Sequence, residues 1–217
     1  MATAVLGQMA LYRRNYAEAR IYLDQALEMR PTAVALLELL LRLDVKEGRR
    51  DLAATHVRRL LLLDSGHAYA NQVLASMQLE RREYAQAESS LRKALAKGRT
   101  ADVLNDLAWV LQERGSLEDA EALAREAVGT DARNPNFQDT LGVILMARGD
   151  LKGAEVALRK ALELAPEAMV VQLHLAELYG KKGELDKAAA LADQLMARIS
   201  SLPPAEQEQL RKIARKQ

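Results

Sequence analysis

Few residues of this chain are of a type that makes or breaks bonds, and their spacing decides what they can do. The three histidines, His56, His67 and His174, stand far apart and form no ligand pair at metal spacing, and His174 with Glu177 is one helical i, i+3 pair. A metal-binding helical bundle needs paired Glu and His motifs from two helices plus further carboxylates, and no such set follows. With no cysteine there is no thiolate nucleophile, no thiolate metal site and no disulfide framework. The glycines fall singly, so there is no phosphate-cradling loop, and no Ser, His and Asp spacing assembles a triad. We therefore expect no enzyme, no metal and no cofactor. Recognition chemistry is more legible. Trp109, the only tryptophan, follows Asn105 at i, i+4, offering an aromatic anchor beside an amide that can hydrogen-bond a peptide backbone. Asp102 and Asp106 add negative charge to the same stretch. Two other readings stay open: Trp109 packs between neighbouring helices, and Asp102 stabilises the first turn of its own helix through the macrodipole.

The elements that position these residues are helices. The chain has 217 residues, 4% aromatics and an abundance of Ala, Leu, Glu, Arg and Lys, a composition suited to long helical arrays. Lysine plus arginine number 31 and aspartate plus glutamate 30, so a net charge of +1 supplies no field to collect nucleic acid or an anionic membrane. No apolar run approaches a membrane span, and the first residues lack the pattern of a signal peptide. The compartment stays undetermined between cytoplasm and periplasm.

The array has a period. Ala19, Ala53, Ala87, Ala120, Ala154 and Ala188 are separated by 34, 34, 33, 34 and 34 residues. Thirteen residues before each stands a leucine: Leu6, Leu40, Leu74, Leu107, Leu141 and Leu175. Five before each stands Arg14, Gly48, Arg82, Gly115, Gly149 or Gly183, where a tight reversal needs a residue that tolerates positive φ. Each period reads as a first helix, a short turn and a second helix, with apolar residues at i, i+3, i+4 and i+7. In the fifth, Gly149 ends the first helix, Asp150 caps the second, Ala154 and Ala161 share its close-packing face, and Pro166 follows its end.

These columns resemble the tetratricopeptide repeat, a 34-residue helix–turn–helix module. Leu6-Gly7 and Leu141-Gly142 match its Leu-Gly pair, Tyr179 its first-helix tyrosine, and Pro31 and Pro166 its closing proline, whereas Leu41 stands where Gly is usual and Arg99 where Pro is usual. The resemblance implies an all-α, right-handed α-solenoid of six repeats, at residues 1–33, 34–67, 68–100, 101–134, 135–168 and 169–202. Residues 203–217 read as a capping helix, with Glu206 and Glu208 early and Arg211, Lys212, Arg215 and Lys216 late, as the macrodipole favours. We expect the chain to be the carboxyl-terminal part of a longer array, with an uncapped first repeat through which it could self-associate.

The resemblance also implies that the first helices line a concave groove. Helical spacing then turns Tyr69, Gln72, Val73, Ser76, Leu79 and Glu80 toward it from the third repeat. The fourth gives Asp102, Asn105, Asp106, Trp109, Gln112 and Glu113, and the fifth Asn136, Asp139, Thr140, Val143, Met146 and Ala147. None of these is lysine or arginine, so the middle of the groove is expected to be acidic. The Lys, Asn and Arg clamp with which family members hold a carboxyl terminus is missing. The expected ligand is an extended or helical protein segment with apolar side chains and some positive charge. Its site is Tyr69, Gln72, Ser76, Asp102, Asn105, Asp106, Trp109, Asp139, Thr140 and Val143. The alternative function is a self-associating or spacer region of an envelope protein: the runs NDLAW, DTLG and HLAELY are similar to closing repeats of bacterial proteins linked to polysaccharide export.

Overall fold

The computed structural model describes residues 2–214. Arg215 and Lys216, read above as part of the basic end of the capping helix, lie outside the described residues. Among those described, the chain is all-α: thirteen α-helices, one short 3-10 turn at Ile199–Ser201 and no strand. This is the helical-repeat solenoid class. Two compact units divide the chain, Met1–Arg99 and Thr100–Gln217.

The first unit holds α1 (Ala2–Tyr12), α2 (Tyr16–Met29), α3 (Val34–Glu47), α4 (Arg50–Leu63), α5 (Ala68–Glu80) and α6 (Tyr84–Lys97). The second holds α7 (Ala101–Glu113), α8 (Leu117–Thr130), α9 (Pro135–Arg148), α10 (Leu151–Leu164), α11 (Met169–Lys181), α12 (Leu185–Met196) and α13 (Pro204–Ala214). In both, odd and even helices pack as consecutive pairs, and each pair packs on the next.

The turn within each pair follows from one residue. Gly48, Gly115, Gly149 and Gly183 all have positive φ, and so do Arg14 and Arg82, the only other residues in that region among those described. A left-handed residue at this place lets backbone amides return to the last carbonyls of the first helix and starts the second helix three residues or fewer later. Arg14 and Arg82 pay a steric penalty that glycine avoids. The second helices begin with side-chain caps in two cases: Asn15 Oδ1 accepts from Glu18 N at 3.3 Å, and Asp150 Oδ1 from Gly153 N at 2.9 Å.

Close packing within pairs comes from small residues. The alanine column Ala19, Ala53, Ala87, Ala120, Ala154 and Ala188 is buried throughout, as is the position seven residues later, Ala26, Leu60, Ala94, Ala127, Ala161 and Leu195. A Cβ placed on Gly142 would sit 2.7 Å from Leu158 Cγ, and one on Gly7 2.8 Å from Leu23 Cγ. Here the first helix touches the second with no room for a methyl group. The leucine column is buried at Leu40, Leu107, Leu141 and Leu175, half-buried at Leu74, and exposed at Leu6, where α1 also leaves Val5, Met9 and Tyr12 uncovered.

Polar lattices tie neighbouring pairs together. In the first unit the buried Asp44 of α3 accepts from Arg20 of α2 at 2.6 Å and pairs with His56 Nδ1 of α4 at 2.6 Å, while Arg20 also reaches Glu47 at 2.7 Å. In the second, Glu121 of α8 accepts from Arg125 and from Arg148 of α9, and one period later Glu155 of α10 accepts from Arg159 and from Lys182 after α11. Arg125 and Arg148 hold the Glu121 carboxyl below its usual range, as Lys182 and Arg159 do for Glu155, against the opposing effect of desolvation. Loops between pairs are pinned by an amide in the first turn of the following helix: Asn71 Nδ2 donates to Ser65 O at 3.0 Å, Gln138 Nε2 to Ala132 O at 3.1 Å and Gln172 Nε2 to Pro166 O at 2.7 Å.

At the end of the second unit α13 lies against α11 and α12. Leu202 and Leu210 are buried with Met169, Leu173, Ala192 and Leu195, so the helix covers part of the last apolar face.

Candidate functional site: a cleft in the second unit

A cleft of about 430 Å³ opens along the first helices of the second unit. α7 contributes Trp109, Gln112 and Glu113, and α9 contributes Asp139, Thr140, Val143, Met146 and Ala147. α11 supplies Val170, His174, Glu177 and Lys181, and α13 supplies Glu206 and Gln209. The odd helices present these side chains because their opposite faces, such as Leu107 and Val110 of α7 or Leu141, Ile144 and Leu145 of α9, are committed to the core.

Four of the ten expected site residues, Trp109, Asp139, Thr140 and Val143, come together here. Trp109 is 36% exposed, so its ring is available to a ligand as well as to its own neighbours. Asp102, Asn105 and Asp106 lie on the first turns of α7 and do not line this cleft. Asp102 is exposed, Asn105 and Asp106 half-buried, and Asn105 Oδ1 is buried without a hydrogen bond. The remaining three belong to the first unit. Tyr69 is half-buried, with the Arg42 guanidinium 4.1 Å above its ring, and burial raises its phenol pKa. Gln72 is half-buried, and exposed Ser76 lines a different cleft with Asp44, Arg50, Met77 and Glu80.

The electrostatics of the second-unit cleft centre on a pair that joins α9 to α11. His174 Nδ1 donates to Asp139 Oδ1 at 2.8 Å, both side chains being less than a fifth exposed. Burial alone would lower the His174 pKa. The hydrogen bond and charge of Asp139, with the charges of Glu177 and Glu206, outweigh burial and raise it. Asp139 is therefore a partnered acid, whereas sequence spacing shows it only as one more groove carboxylate. Around the pair stand Glu113, Glu177 and Glu206 against the single ammonium of Lys181, 3.8 Å from Glu177. The wall is an acidic rim around an apolar strip of Trp109, Val143, Met146 and Val170.

Sequence reasoning missed the contribution of α13. Gln209 Nε2 donates to Glu177 Oε2 and thereby ties the last helix to the cleft. The i, i+3 spacing of Glu206 and Gln209 was the available signal. Among the described residues no group of three or more His, Cys, Asp or Glu is arranged to hold a metal ion, and no helix is long and apolar enough to cross a membrane. The arrangement offers hydrogen bonds, charge and apolar contact.

Comparison with known proteins agrees with the fold. Models of the tetratricopeptide repeat match residues 100–130 and 145–203. The chain is 29% identical over 225 aligned positions to cellulose synthase operon protein C of Pseudomonas fluorescens, an alignment that covers 92% of this chain. The chain spans only 17% of that protein's length. Among solved structures, pilF of Pseudomonas aeruginosa superposes with a TM-score of 0.73 at 19% identity, covering 97% of this chain and 96% of that one. YrrB, described as a TPR protein with an unusual peptide-binding site, superposes with a TM-score of 0.64 at 19% identity, covering 88% and 97%. The likeness to these two structures is one of fold. The matched models identify residues 100–130 and 145–203 as tetratricopeptide repeats, and the same register of columns runs along the rest of the chain.

Proposed function

We propose that the chain is a non-catalytic protein-interaction scaffold whose second-unit cleft holds an extended or helical peptide segment bearing apolar side chains and positive charge. The observation that carries this reading is the exposed Trp109 beside an apolar strip, ringed by Glu113, Asp139, Glu177 and Glu206. An aromatic anchor in a concave, partly desolvated wall supplies affinity, and surrounding carboxylates select cationic partners and speed their encounter. The test is a peptide array probed with the chain and with the double variant Trp109→Ala, Asp139→Asn. Binding of basic, leucine-containing peptides that drops in the double variant, with helical circular dichroism unchanged, supports the cleft. Retained binding contradicts it.

A second reading draws on two other observations. The likeness to cellulose synthase operon protein C favours a repeat segment that acts as a spacer or scaffold in a larger bacterial assembly for cellulose production. The uncovered Val5, Leu6, Met9 and Tyr12 of α1 favour contact with another helical surface, including a second copy of the chain. Replacing the matching segment of that operon protein with this chain, in a cellulose-producing bacterium, tests the first point. Cellulose output maintained by the graft supports it, and output no better than in a deletion contradicts it. Light scattering across a concentration series tests self-association, which a strict monomer rules out.

A further inference from the structure

The last helix does more in this fold than cover an apolar face. Its inner side carries Leu210 into the core, while Glu206 and Gln209 line the cleft. The wall is anchored to α11 by Gln209 on Glu177, and Gln207 Nε2 donating to Leu202 O at 2.8 Å fixes the entry of the helix. Yet Glu206 Oε2 is buried and accepts no hydrogen bond. A carboxylate oxygen withdrawn from water needs a donor. Of the cations lining the cleft, His174 gives its Nδ1 to Asp139 and Lys181 stands beside Glu177, and neither donates to Glu206 Oε2.

We propose that α13 is one wall of the ligand site, and that Glu206 Oε2 receives the guanidinium or ammonium group of a bound peptide whose apolar side chain rests on Trp109. The inference rests on the cleft reading above and adds to it a specific polar contact on the terminal helix. A guanidinium fits best, because its fork can reach Glu206 while its planar face covers apolar surface. Glu208 provides an internal control, since it sits on the same helix, does not line the cleft and is exposed.

The experiment uses two synthetic peptides, identical in their leucines and alanines, one with a single arginine and the other with citrulline, its neutral isostere. Affinities are measured for the native chain and for Trp109→Ala, Glu206→Gln and Glu208→Gln. The expected result is that the native chain and Glu208→Gln prefer arginine over citrulline by about tenfold, the scale of one charge-assisted contact, and that Glu206→Gln loses this preference. Trp109→Ala weakens both peptides. The readout is a ratio within one protein, so a change in the fraction folded does not imitate it. If Trp109→Ala weakens binding but Glu206→Gln keeps the native preference, the role of α13 is overturned and the cleft reading stands. If the native chain binds neither peptide, or Trp109→Ala binds both as tightly as the native chain, both readings fall.

Discussion

His174 of α11 and Asp139 of α9 are joined by a 2.8 Å hydrogen bond across the boundary between consecutive helix pairs. The contact links two first helices at the cleft, so one pair of side chains takes part in repeat packing and in the charge of the candidate site.

Because the folded His174 pKa lies above its ordinary 6.5, the stability this group contributes is fully present below about 6.5 and is lost as pH rises through the raised value. Asp139→Asn removes the charge that opposes burial, so the imidazole should titrate lower than in the native chain. Imidazole proton NMR against pH measures it directly. A His174 titration unmoved by the substitution contradicts this account of the pair.

Gly142 faces Leu158 with no room for a side chain, and the leucine is itself fully buried. Gly142→Ala should destabilise the second unit by about 1–3 kcal/mol through overpacking, despite alanine's better helix propensity. Gly129 in α8 has nothing within 4 Å of an added Cβ, so Gly129→Ala should stabilise by up to about 1 kcal/mol. Denaturant unfolding of the two variants side by side checks the opposite signs.

In the first unit, Asp44 is the acceptor for Arg20 and the partner of His56, and it is wholly buried. Asp44→Ala takes away one of the two carboxylates that hold the largely buried Arg20 guanidinium, leaving Glu47, and removes the partner of the buried His56. The expected loss is about 1–3 kcal/mol, the scale for leaving a buried polar group without its partner. Thermal unfolding followed by circular dichroism measures it, and a loss no larger than that of an exposed control, Asp51→Ala, contradicts the assignment.

The repeat architecture was legible because it is written several times. A single Gly149 is weak evidence for a turn, but six residues in register at Arg14, Gly48, Arg82, Gly115, Gly149 and Gly183 specify the same backbone twist, and all six have positive φ. The alanine column was readable for the same reason. Contacts made by one residue only once were not. Nothing in the spacing pairs Asp139 with His174, because they lie 35 residues apart and only packed helices bring them together. Helical spacing treats every first helix alike, yet the cleft gathers the later turns of α7 with α9, α11 and α13 and leaves Asp102, Asn105 and Asp106 outside. The loop-pinning amides Asn71, Gln138 and Gln172 occupy one column of the repeat, a signal diluted by Leu37 and Leu104 at the corresponding places.

Trp109 lines the cleft proposed to receive a basic, apolar peptide, and its own fluorescence reports on that cleft because the chain has no other tryptophan. Titration of the native chain with the arginine peptide should shift and saturate the Trp109 emission, with a midpoint that rises as salt is added. An emission spectrum unchanged while the same peptide is shown to bind by calorimetry would place the ligand elsewhere and contradict the account.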